Sequence, residues 1–298
     1  MTVNTKTNGI TKSLAEISEV SNPNLLDNPD FRVNMLGSDT YTSKGSTVSR
    51  WNLDKDSSID VKVHGFGPDQ QGGISLTFKK PGVLYQKLET PIIGKATLSI
   101  KVSKYIDGDV PVDVYTDNDI GFLFKEGINI FKFSGTADKP ITKIEIGASG
   151  VLGTKETSID IDWIKLELGD NATSFVPPDY GEEYRKLLWY QMPIVNISRF
   201  GYVGTSGKLF IPLPEIIQMR LLKPSIMYSN FNINIYANKM SDNIKNEDIK
   251  EYFIDGQKQL ILIFNNADKL INYKGITCSV DFSKSNGISG FLLDAEIY

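Results

Sequence analysis

Residues 158–169 read SIDIDWIKLELG, a stretch in which apolar and polar residues alternate with a period of two. Alternation of this kind predicts a β-strand, because successive side chains of a strand point to opposite faces. One face carries Ile159, Ile161 and Trp163, but the apolar residues from Ile164 onward fall on the other face. The switch predicts a β-bulge, or a strand that is covered on both faces.

The same alternation recurs before this stretch, and turn residues separate one strand from the next. Gly-Gly, Pro-Gly and Asp-Gly pairs mark several of these turns. The predicted strands lie at residues 58–65, 73–78, 96–102, 111–116, 128–133 and 141–147. Closely spaced strands without helical patterns between them predict an antiparallel β-sandwich or jelly roll.

Strand-like segments return after a boundary that is stiffened by Pro177 and Pro178. They lie at residues 208–214, 225–238, 259–266, 275–282 and 290–298. We therefore expect a mostly β chain, with two antiparallel β-sandwich or jelly-roll domains joined by a short helix, and a short N-terminal helix. The expected segments are an N-terminal attachment segment at 1–21, a sandwich at 22–178, the linking helix at 179–193 and a C-terminal β domain at 194–298.

The N-terminal helix is expected at residues 10–20. Ile10, Leu14 and Ile17 are spaced four and three residues apart there, as in the seam of a coiled coil. The alternative is a short amphipathic helix that packs on a neighbouring element. A helix this short is marginal in water, so both interpretations require a partner surface.

Two further segments have a helical pattern. Residues 180–192 carry acidic residues in the first turn and apolar Tyr184, Leu187 and Leu188 along one side, which predicts an amphipathic linking helix. Residues 241–253 read SDNIKNEDIKEYF and predict a helical insertion that begins at a serine or aspartate cap.

The composition is typical of a soluble globular protein and excludes several classes of function. The 298 residues are 40% hydrophobic and 23% charged, with a net charge of −4 and no cluster of Lys and Arg, so nucleic acid is not an expected partner. The single cysteine, Cys278, excludes an intramolecular disulfide. The sequence has neither a signal-peptide pattern nor an apolar stretch of ~18 residues, so we expect assembly in the cytoplasm and no membrane partner.

Few residues could carry catalysis, and we expect no enzyme activity and no cofactor. His64, the only histidine, ends a predicted strand and is expected to be structural or solvated. Cys278 shares a strand face with apolar residues, which predicts a buried core thiol. Asp160 and Asp162 share a strand face and could bind calcium, but a solvated face is the preferred interpretation, so we predict no metal site. Among 36 acidic residues a glycosidase-like pair of carboxylates is not excluded.

Three groups of residues resemble motifs of bacteriophage tail-fibre proteins. The first is NLLDNPDF at 24–31 with SRW at 49–51. The second is DWIKLELG at 162–169, which runs into ATSF at 172–175 and YGEE at 180–183. The third is FIPLP at 210–214 with LKPS at 222–225 and LDAEIY at 293–298.

This resemblance spans residues 22–298 and implies a tail-fibre or baseplate receptor-binding protein with a carbohydrate-binding-module-like jelly roll. It further implies a homotrimer in the virion tail or baseplate, which binds host cell-surface polysaccharide and other tail or baseplate proteins. Two alternatives remain open: a structural virion protein of the baseplate or head without a receptor role, and an accessory module of a glycan hydrolase.

We expect receptor contacts in the C-terminal domain, because loops on a rigid scaffold tolerate the changes that a new host demands. The residues favoured for ligand contact are Tyr228, Asn230 and Tyr236, which combine ring faces with hydrogen-bonding groups. The residues expected at the trimer interface are Ile10, Leu14, Ile17, Tyr184, Leu187 and Leu188. Trp51 and Trp163 are predicted to be core residues of the sandwich.

Overall fold

The chain is a mostly β protein whose strands pair in antiparallel fashion, as the alternating sequence predicts. The computed structural model describes residues 4–7, 10–13, 21–42, 45–54, 59–106, 108, 111–118, 121, 125–148, 155–195, 198–204, 206–212, 225–227, 231–237, 240–245, 248–254, 259–266, 270, 272, 276–284 and 290–294. The helix in these ranges is α1 (Tyr180–Leu187), and none of the described helical residues form a segment long and apolar enough to cross a membrane.

The chain divides into two compact units. The first comprises Met1–Asn34 and Asp39–Glu183, and the second comprises Met35–Ser38 and Tyr184–Tyr298. The division falls within α1, in the region where the sequence pattern predicts a linking helix.

The first unit contains the antiparallel sheets of a β-sandwich. Its strands are β1 (Asn4–Thr7), β2 (Ile10–Ser13), β3 (Thr40–Tyr41), β4 (Gly45–Ser46), β5 (Asn52–Leu53), β6 (Ile59–Val63), β7 (Ile74–Phe78), β8 (Gly82–Ile92), β9 (Gly94–Ile106), β10 (Val112–Tyr115), β11 (Gly127–Gly135), β12 (Ile141–Ala148) and β13 (Thr157–Leu168). One sheet has the order β11-β9-β13-β7-β6-β3, and another has the order β10-β12-β8-β5-β4. Within the part of the chain that the structure describes, the first two strands form a separate two-stranded sheet.

Alternate residues of these strands form the core of the first unit. In β6 and β7 every second side chain is buried, and the polar residues between them are not. Trp51 is fully buried against Phe31, with ring centroids 5.3 Å apart, so the prediction that Trp51 is a core residue is confirmed. Burying an apolar side chain such as Phe31 stabilises the fold by about 1.5–3 kcal/mol.

The predicted bulge is present in β13. Ile161 pairs with Val102 of β9, and Trp163 pairs with Lys101, so two steps along β13 match a single step along β9. A bulge of this kind changes the side to which the following side chains point. Consequently Ile161 and Ile164 are both fully buried, although they lie three positions apart, an odd spacing that would place them on opposite faces of a regular strand.

The second unit contains a three-stranded and a seven-stranded sheet. Its strands are β14 (Gln191–Val195), β15 (Ser198–Val203), β16 (Leu209–Pro212), β17 (Ser225–Met227), β18 (Phe231–Ala237), β19 (Met240–Lys245), β20 (Ile249–Ile254), β21 (Gln259–Phe264), β22 (Ile276–Lys284) and β23 (Gly290–Asp294). The smaller sheet has the order β14-β23-β17, and the larger has the order β19-β18-β22-β15-β16-β21-β20.

The helical insertion expected at residues 241–253 is wrong. Most of this segment lies in β19 and β20, which pair with β18 and β21. These two strands are the edges of the seven-stranded sheet. Edge strands commonly carry many charged residues, and in this segment the charged residues obscure the alternation of apolar and polar residues that marks a strand.

The N-terminal helix expected at 10–20 is also wrong where the structure describes it. Ile10–Ser13 is strand β2 and pairs with β1, while residues 14–20 lie outside the described ranges. Asn8 and Gly9, which separate the two strands in the sequence, are a strong hairpin signal that outweighs the helical spacing. The linking helix is shorter than the predicted 180–192, because Gln191–Val195 is strand β14.

Candidate ligand-binding cleft

An open cleft of about 840 Å³ lies in the first unit. Four stretches of chain that are far apart in sequence form its walls. The lining residues are Asp30, Arg32, His64, Gly65, Asp69, Gln70, Gln71, Gly72, Asp162, Trp163, Phe175 and Pro177. The volume lies within the range of small-molecule sites in proteins.

A pair of aromatic rings forms the apolar part of the cleft. Trp163 and Phe175 stack almost in parallel, with ring centroids 4.6 Å apart and an interplanar angle of 4°. Both side chains are half-buried. The prediction that Trp163 is a core residue is therefore wrong, because this ring lines the cleft.

The bulge in β13 explains why Asp162 and Trp163 both reach the cleft. Neighbouring residues of a regular strand point to opposite faces, but the extra residue between Ile161 and Trp163 interrupts this alternation. The switch of apolar face in the sequence was the signal for this site. Bulges often reorient side chains at functional sites, and here the bulge directs Trp163 to the cleft instead of the predicted core.

Phe175 is positioned by a clamp at the base of the segment that follows β13. The Nζ of Lys165 donates to Ser21 Oγ at 2.8 Å and to the carbonyl oxygen of Ser174 at 3.0 Å. Glu167 accepts hydrogen bonds from the backbone N–H and the hydroxyl of Thr173, at 2.8 and 2.7 Å. These contacts fix the backbone immediately before Phe175.

The two charges of this clamp are almost completely buried. Lys165 and Glu167 are 1% and 0% exposed, and Lys165 Nζ lies 3.3 Å from Glu167 Oε2. Burial alone would raise the pKa of Glu167. The hydrogen bonds from Thr173 and the charge of Lys165 outweigh this effect and hold the pKa below its ordinary value of 4.5.

The loop between β6 and β7 forms the polar wall, and its base is held in place by backbone hydrogen bonds. The N–H of Gly73 donates to the carbonyl oxygen of Asp30 at 2.9 Å, and the N–H of Gly67 donates to that of Arg32 at 3.0 Å. At the tip of this loop, residues 69–71 read Asp-Gln-Gln and are exposed. A fixed base thus presents one carboxylate and two amides to the cleft.

Gly72 allows this close approach of the loop to Asp30. Its φ is +77°, which few residues other than glycine adopt. A Cβ atom at this position would lie 2.0 Å from the Asp30 carbonyl oxygen and 2.7 Å from Arg32 Cγ. Any residue other than glycine at this position would displace Asp30 and Arg32.

Arg32 is the cationic residue of the cleft, and two contacts orient it. Its Nε donates to Asp30 Oδ2 at 2.7 Å, and its Nη2 donates to the carbonyl oxygen of Pro178 at 2.6 Å. The side chains of Arg32 and Asp30 are 14% and 6% exposed. The pair is thus a largely buried, nearly neutral unit.

His64 lies in the cleft wall and forms a hydrogen bond of 2.6 Å between its Nε2 and Ser75 Oγ. A serine and a histidine at this distance are found in hydrolases, where a third group orients the imidazole. Within the described residues no such group contacts Nδ1 of His64. The geometry therefore matches the predicted structural role better than a catalytic one.

The residues of the first resemblance motif lie mostly in the core and not in the cleft. Trp51 Nε1 donates to the carbonyl oxygen of Asn28 at 3.2 Å, and the N–H of Asn28 donates to Glu183 Oε1 at 2.6 Å. Arg50 Nε donates to Asp27 Oδ2 at 2.7 Å. The NLLDNPDF, SRW and YGEE motifs therefore meet in one buried polar network with a structural role.

Asn24 extends this structural role to the second half of strand β13. Its Nδ2 donates to the carbonyl oxygen of Ile164 at 2.9 Å, and its Oδ1 accepts from the N–H of Leu166 at 2.9 Å. The N–H of Leu25 donates to the carbonyl oxygen of Leu166 at 2.8 Å. The NLLDNPDF segment therefore runs beside the part of β13 that does not pair with β7, and its residue Asp30 lines the cleft.

The residues favoured for ligand contact from the sequence are not in this cleft. Tyr228 and Asn230 lie outside the described residues, and Tyr236 lies on β18 of the second unit with 46% of its surface exposed. Asp162 lines the cleft, but among the described residues no group of three or more His, Cys, Asp or Glu side chains could hold a metal ion.

The residues expected at a trimer interface differ in their exposure. Leu187 is fully buried within the single chain, which leaves it no surface for a partner, whereas Tyr184 and Leu188 are half-buried. Ile10 lies on β2, and Leu14 and Ile17 lie outside the described residues.

No protein-family model matches this sequence, and no curated protein matches it. The chain is similar to the adhesin domain of Epf from Streptococcus pyogenes, with 11% identity over 88% of this chain and 91% of that one and a TM-score of 0.27. It is similar to the N-terminal CBM22-1-CBM22-2 tandem domain of Xyn10C from Paenibacillus barcinonensis, with 9% identity over 93% and 98% and a TM-score of 0.27.

The glycoside hydrolase domain of Endo-D from Streptococcus pneumoniae R6 has 8% identity over 84% of this chain and 38% of that one, with a TM-score of 0.25. Identities and TM-scores of this size carry no argument about function. The functional interpretation therefore depends on the cleft itself.

Proposed function

We propose that this protein binds a cell-surface glycan in the cleft of its first unit and does not catalyse a reaction on it. The observation that carries the proposal is the stacked pair of Trp163 and Phe175, half-buried in an open cleft with polar walls. A sugar ring has an apolar C–H face and a rim of hydroxyl groups. Aromatic rings beside carboxylates and amides match both properties.

The open form of the cleft favours a polymer over an isolated small molecule. Asp69, Gln70 and Gln71 lie at an exposed loop tip, whereas the half-buried Trp163 and Phe175 come from β13 and the segment that follows it. A glycan chain can pass through such a site, with one sugar unit against the rings and its neighbours in solvent.

We further propose that the protein is a receptor-binding protein of a phage tail fibre, or of a phage-like particle, assembled in the host cytoplasm. The support is the resemblance of residues 24–31, 162–169 and 180–183 to tail-fibre motifs. The proposal includes a homotrimer in the virion tail or baseplate, with other tail or baseplate proteins as partners. Electron microscopy of particles labelled with an antibody against this chain tests the location.

A glycan array followed by pull-down with host cell-wall polysaccharide tests the binding proposal on the full chain. We expect Trp163→Ala to weaken binding by about thirtyfold, because truncating an aromatic anchor costs about 2 kcal/mol or more. Tyr236→Ala is the matched control, since it removes an exposed ring of the second unit. Thermal melting of both variants checks that the fold is retained.

Two outcomes contradict the proposal. Loss of binding in Tyr236→Ala with full binding in Trp163→Ala would move the site to the second unit, where the sequence first predicted it. Binding by neither the wild type nor any variant would favour a structural virion role.

A hydrolase is the second candidate, and one observation favours it. Asp69 and Asp162 both line the cleft, and paired carboxylates carry out glycoside hydrolysis. Release of reducing ends from the bound polysaccharide would support this activity. Binding without such release would support the binding role.

A further inference from the structure

The charges of the cleft do not balance. The Asp30 and Arg32 side chains form an ion pair of 2.7 Å and largely cancel each other. Within the described residues, Asp69 and Asp162 make neither an ion pair nor a side-chain hydrogen bond, and both line the cleft. The cleft therefore carries an excess of about two negative charges when its carboxylates are ionised. Asp30 offsets Arg32, whereas the described lining residues include no further Lys or Arg to offset Asp69 and Asp162.

One of these carboxylates lies beside the aromatic pair. Asp162 and Trp163 are adjacent on the bulge of β13, and Trp163 stacks on Phe175. A carboxylate next to an indole ring is a favourable environment for a cation, because the carboxylate accepts charge-assisted hydrogen bonds and the ring face attracts positive charge. Asp69 brings a second carboxylate from the loop held by Asp30 and Arg32.

We infer that the cleft selects a glycan whose sugar units carry a free, protonated amine. This inference rests on the proposed glycan binding and names its ligand class. An acidic glycan would bring like charges to Asp69 and Asp162, and a neutral one would donate to them only from uncharged groups, without forming an ion pair. An amine-bearing unit gains charge-assisted hydrogen bonds to these carboxylates as well as contact with the rings.

Matched oligosaccharides test this inference on the full chain. The probes are β-1,4-linked glucosamine oligomers and fully N-acetylated oligomers of the same length, at a pH at which the amine is protonated and carboxylates are ionised. Calorimetry is expected to show about tenfold tighter binding of the free-amine form, the usual gain from one good charged contact. Added salt should weaken the free-amine form more than the acetylated form.

Charge-neutralising variants locate the selectivity. Asp162→Asn and Asp69→Asn are each expected to reduce the preference for the free amine severalfold, because each removes a charge that pairs with the amine and therefore weakens the free-amine oligomer more than the acetylated one. Asp138→Asn, at an exposed turn outside the cleft, removes the same charge and should alter neither affinity. Thermal melts of the variants exclude unfolding as the cause.

The outcomes separate this inference from the proposed function. Equal binding of both oligomers, or a preference that survives in both cleft variants, overturns the inference while glycan binding stands. The same holds if the array shows a neutral or acidic glycan bound through Trp163 in place of the amine. Binding that disappears on chelation of divalent cations would assign the carboxylates to a bridging metal and also overturn it. Failure to bind any glycan overturns both proposals.

Discussion

Asn28 fixes a turn in the first unit through hydrogen bonds made by both ends of its side chain. The Nδ2 group donates to the carbonyl oxygens of Val33 and Ser49, at 2.8 and 3.0 Å, and Oδ1 accepts from the N–H of Val33 at 3.0 Å. The residue is fully buried and has a φ of 48°. Asparagine tolerates this left-handed conformation better than most residues do.

We expect Asn28→Ala to lower the free energy of unfolding by about 3 kcal/mol. The substitution removes the three hydrogen bonds between the Asn28 side chain and the backbone of Val33 and Ser49, and the loss of such a bond to a buried group costs about 1–3 kcal/mol. Asn28→Gly loses the same hydrogen bonds but relieves the strain at positive φ, and should be about 1 kcal/mol more stable than the alanine variant. Urea unfolding measures both, and an alanine variant within 0.5 kcal/mol of wild type, roughly the scatter at neutral surface sites, would contradict this account.

Glu167 makes the stability of the first unit dependent on pH in the acid range. Its pKa in the folded chain lies below the ordinary value of 4.5, so the unfolded chain takes up the proton first as pH falls. The contribution of Glu167 to stability is complete above about pH 4.5 and is lost as pH falls through the lower, folded value. Acidification therefore opposes folding at this residue.

The variant Glu167→Gln tests this dependence. We expect it to be less stable than wild type at neutral pH, because Lys165 loses its buried partner, and the difference should shrink as pH falls below 4.5. Denaturant unfolding at a series of pH values measures the difference. A gap that stays constant down to pH 3 would show that Glu167 is not the titrating group.

At the scale of elements, the loop between β6 and β7 depends on Gly72. We expect Gly72→Ala to abolish most ligand binding, since the added Cβ would clash with the carbonyl oxygen of Asp30. Gly94→Ala is the matched control, because Gly94 also has a positive φ, of +106°, but nothing lies within 4 Å of an added Cβ.

Both glycine variants carry the cost of an L-residue at positive φ, which is about 1–2 kcal/mol. Only Gly72→Ala should also displace Asp30 and Arg32 and so alter the cleft. Thermal melts and binding isotherms of the pair separate the two effects. Equal loss of binding in both variants would show that the contact at Gly72 is unimportant.

Much of the strand pattern could be predicted from the sequence because burial follows the alternation of side chains between the two faces of a strand. In β6, β7 and the first half of β13 the alternation of apolar residues determines which side chains are buried, and the switch of apolar face at Trp163 correctly predicts the bulge. In the second half of β13 the polar Lys165 and Glu167 are buried as well, which the alternation does not predict. The edge strands β19 and β20 could not be recognised in this way, because their charged residues mask the alternation.

The cleft could not be predicted from the sequence because it is assembled by tertiary contacts. Asp30, Gln70, Asp162 and Phe175 come together only through the pinned loop, the bulge and the clamp at Lys165. The alternation indicates that Trp163 departs from the regular pattern, but it does not indicate whether the ring is buried in the core or lies at the surface. That choice depends on the segment carrying Phe175, whose path the local sequence does not specify.

At the scale of the whole molecule, we expect a homotrimer. The resemblance to tail fibres predicts it, and closed three-fold symmetry leaves no open contact surface. Light scattering at micromolar concentration should give three times the 33.2 kDa mass of the chain. A mass of one chain would contradict the prediction. Leu188→Asp should lower this mass if the residues that follow α1 contribute to the trimer interface. A substitution of Leu187 would not be informative, because its side chain is already buried within one chain.

The two ends of the sandwich lie side by side. Ser21 Oγ donates to the carbonyl oxygen of Ser174 at 2.7 Å, and the N–H of Asn22 donates to Thr173 Oγ1 at 3.0 Å. A module with adjoining ends can be inserted into a surface loop of an unrelated protein without stretching either flank. A gene segment that carries this module to another protein must also encode Phe175 of the cleft and Glu183, which accepts a hydrogen bond from the N–H of Asn28. With those residues included, recombination could exchange it between otherwise dissimilar proteins.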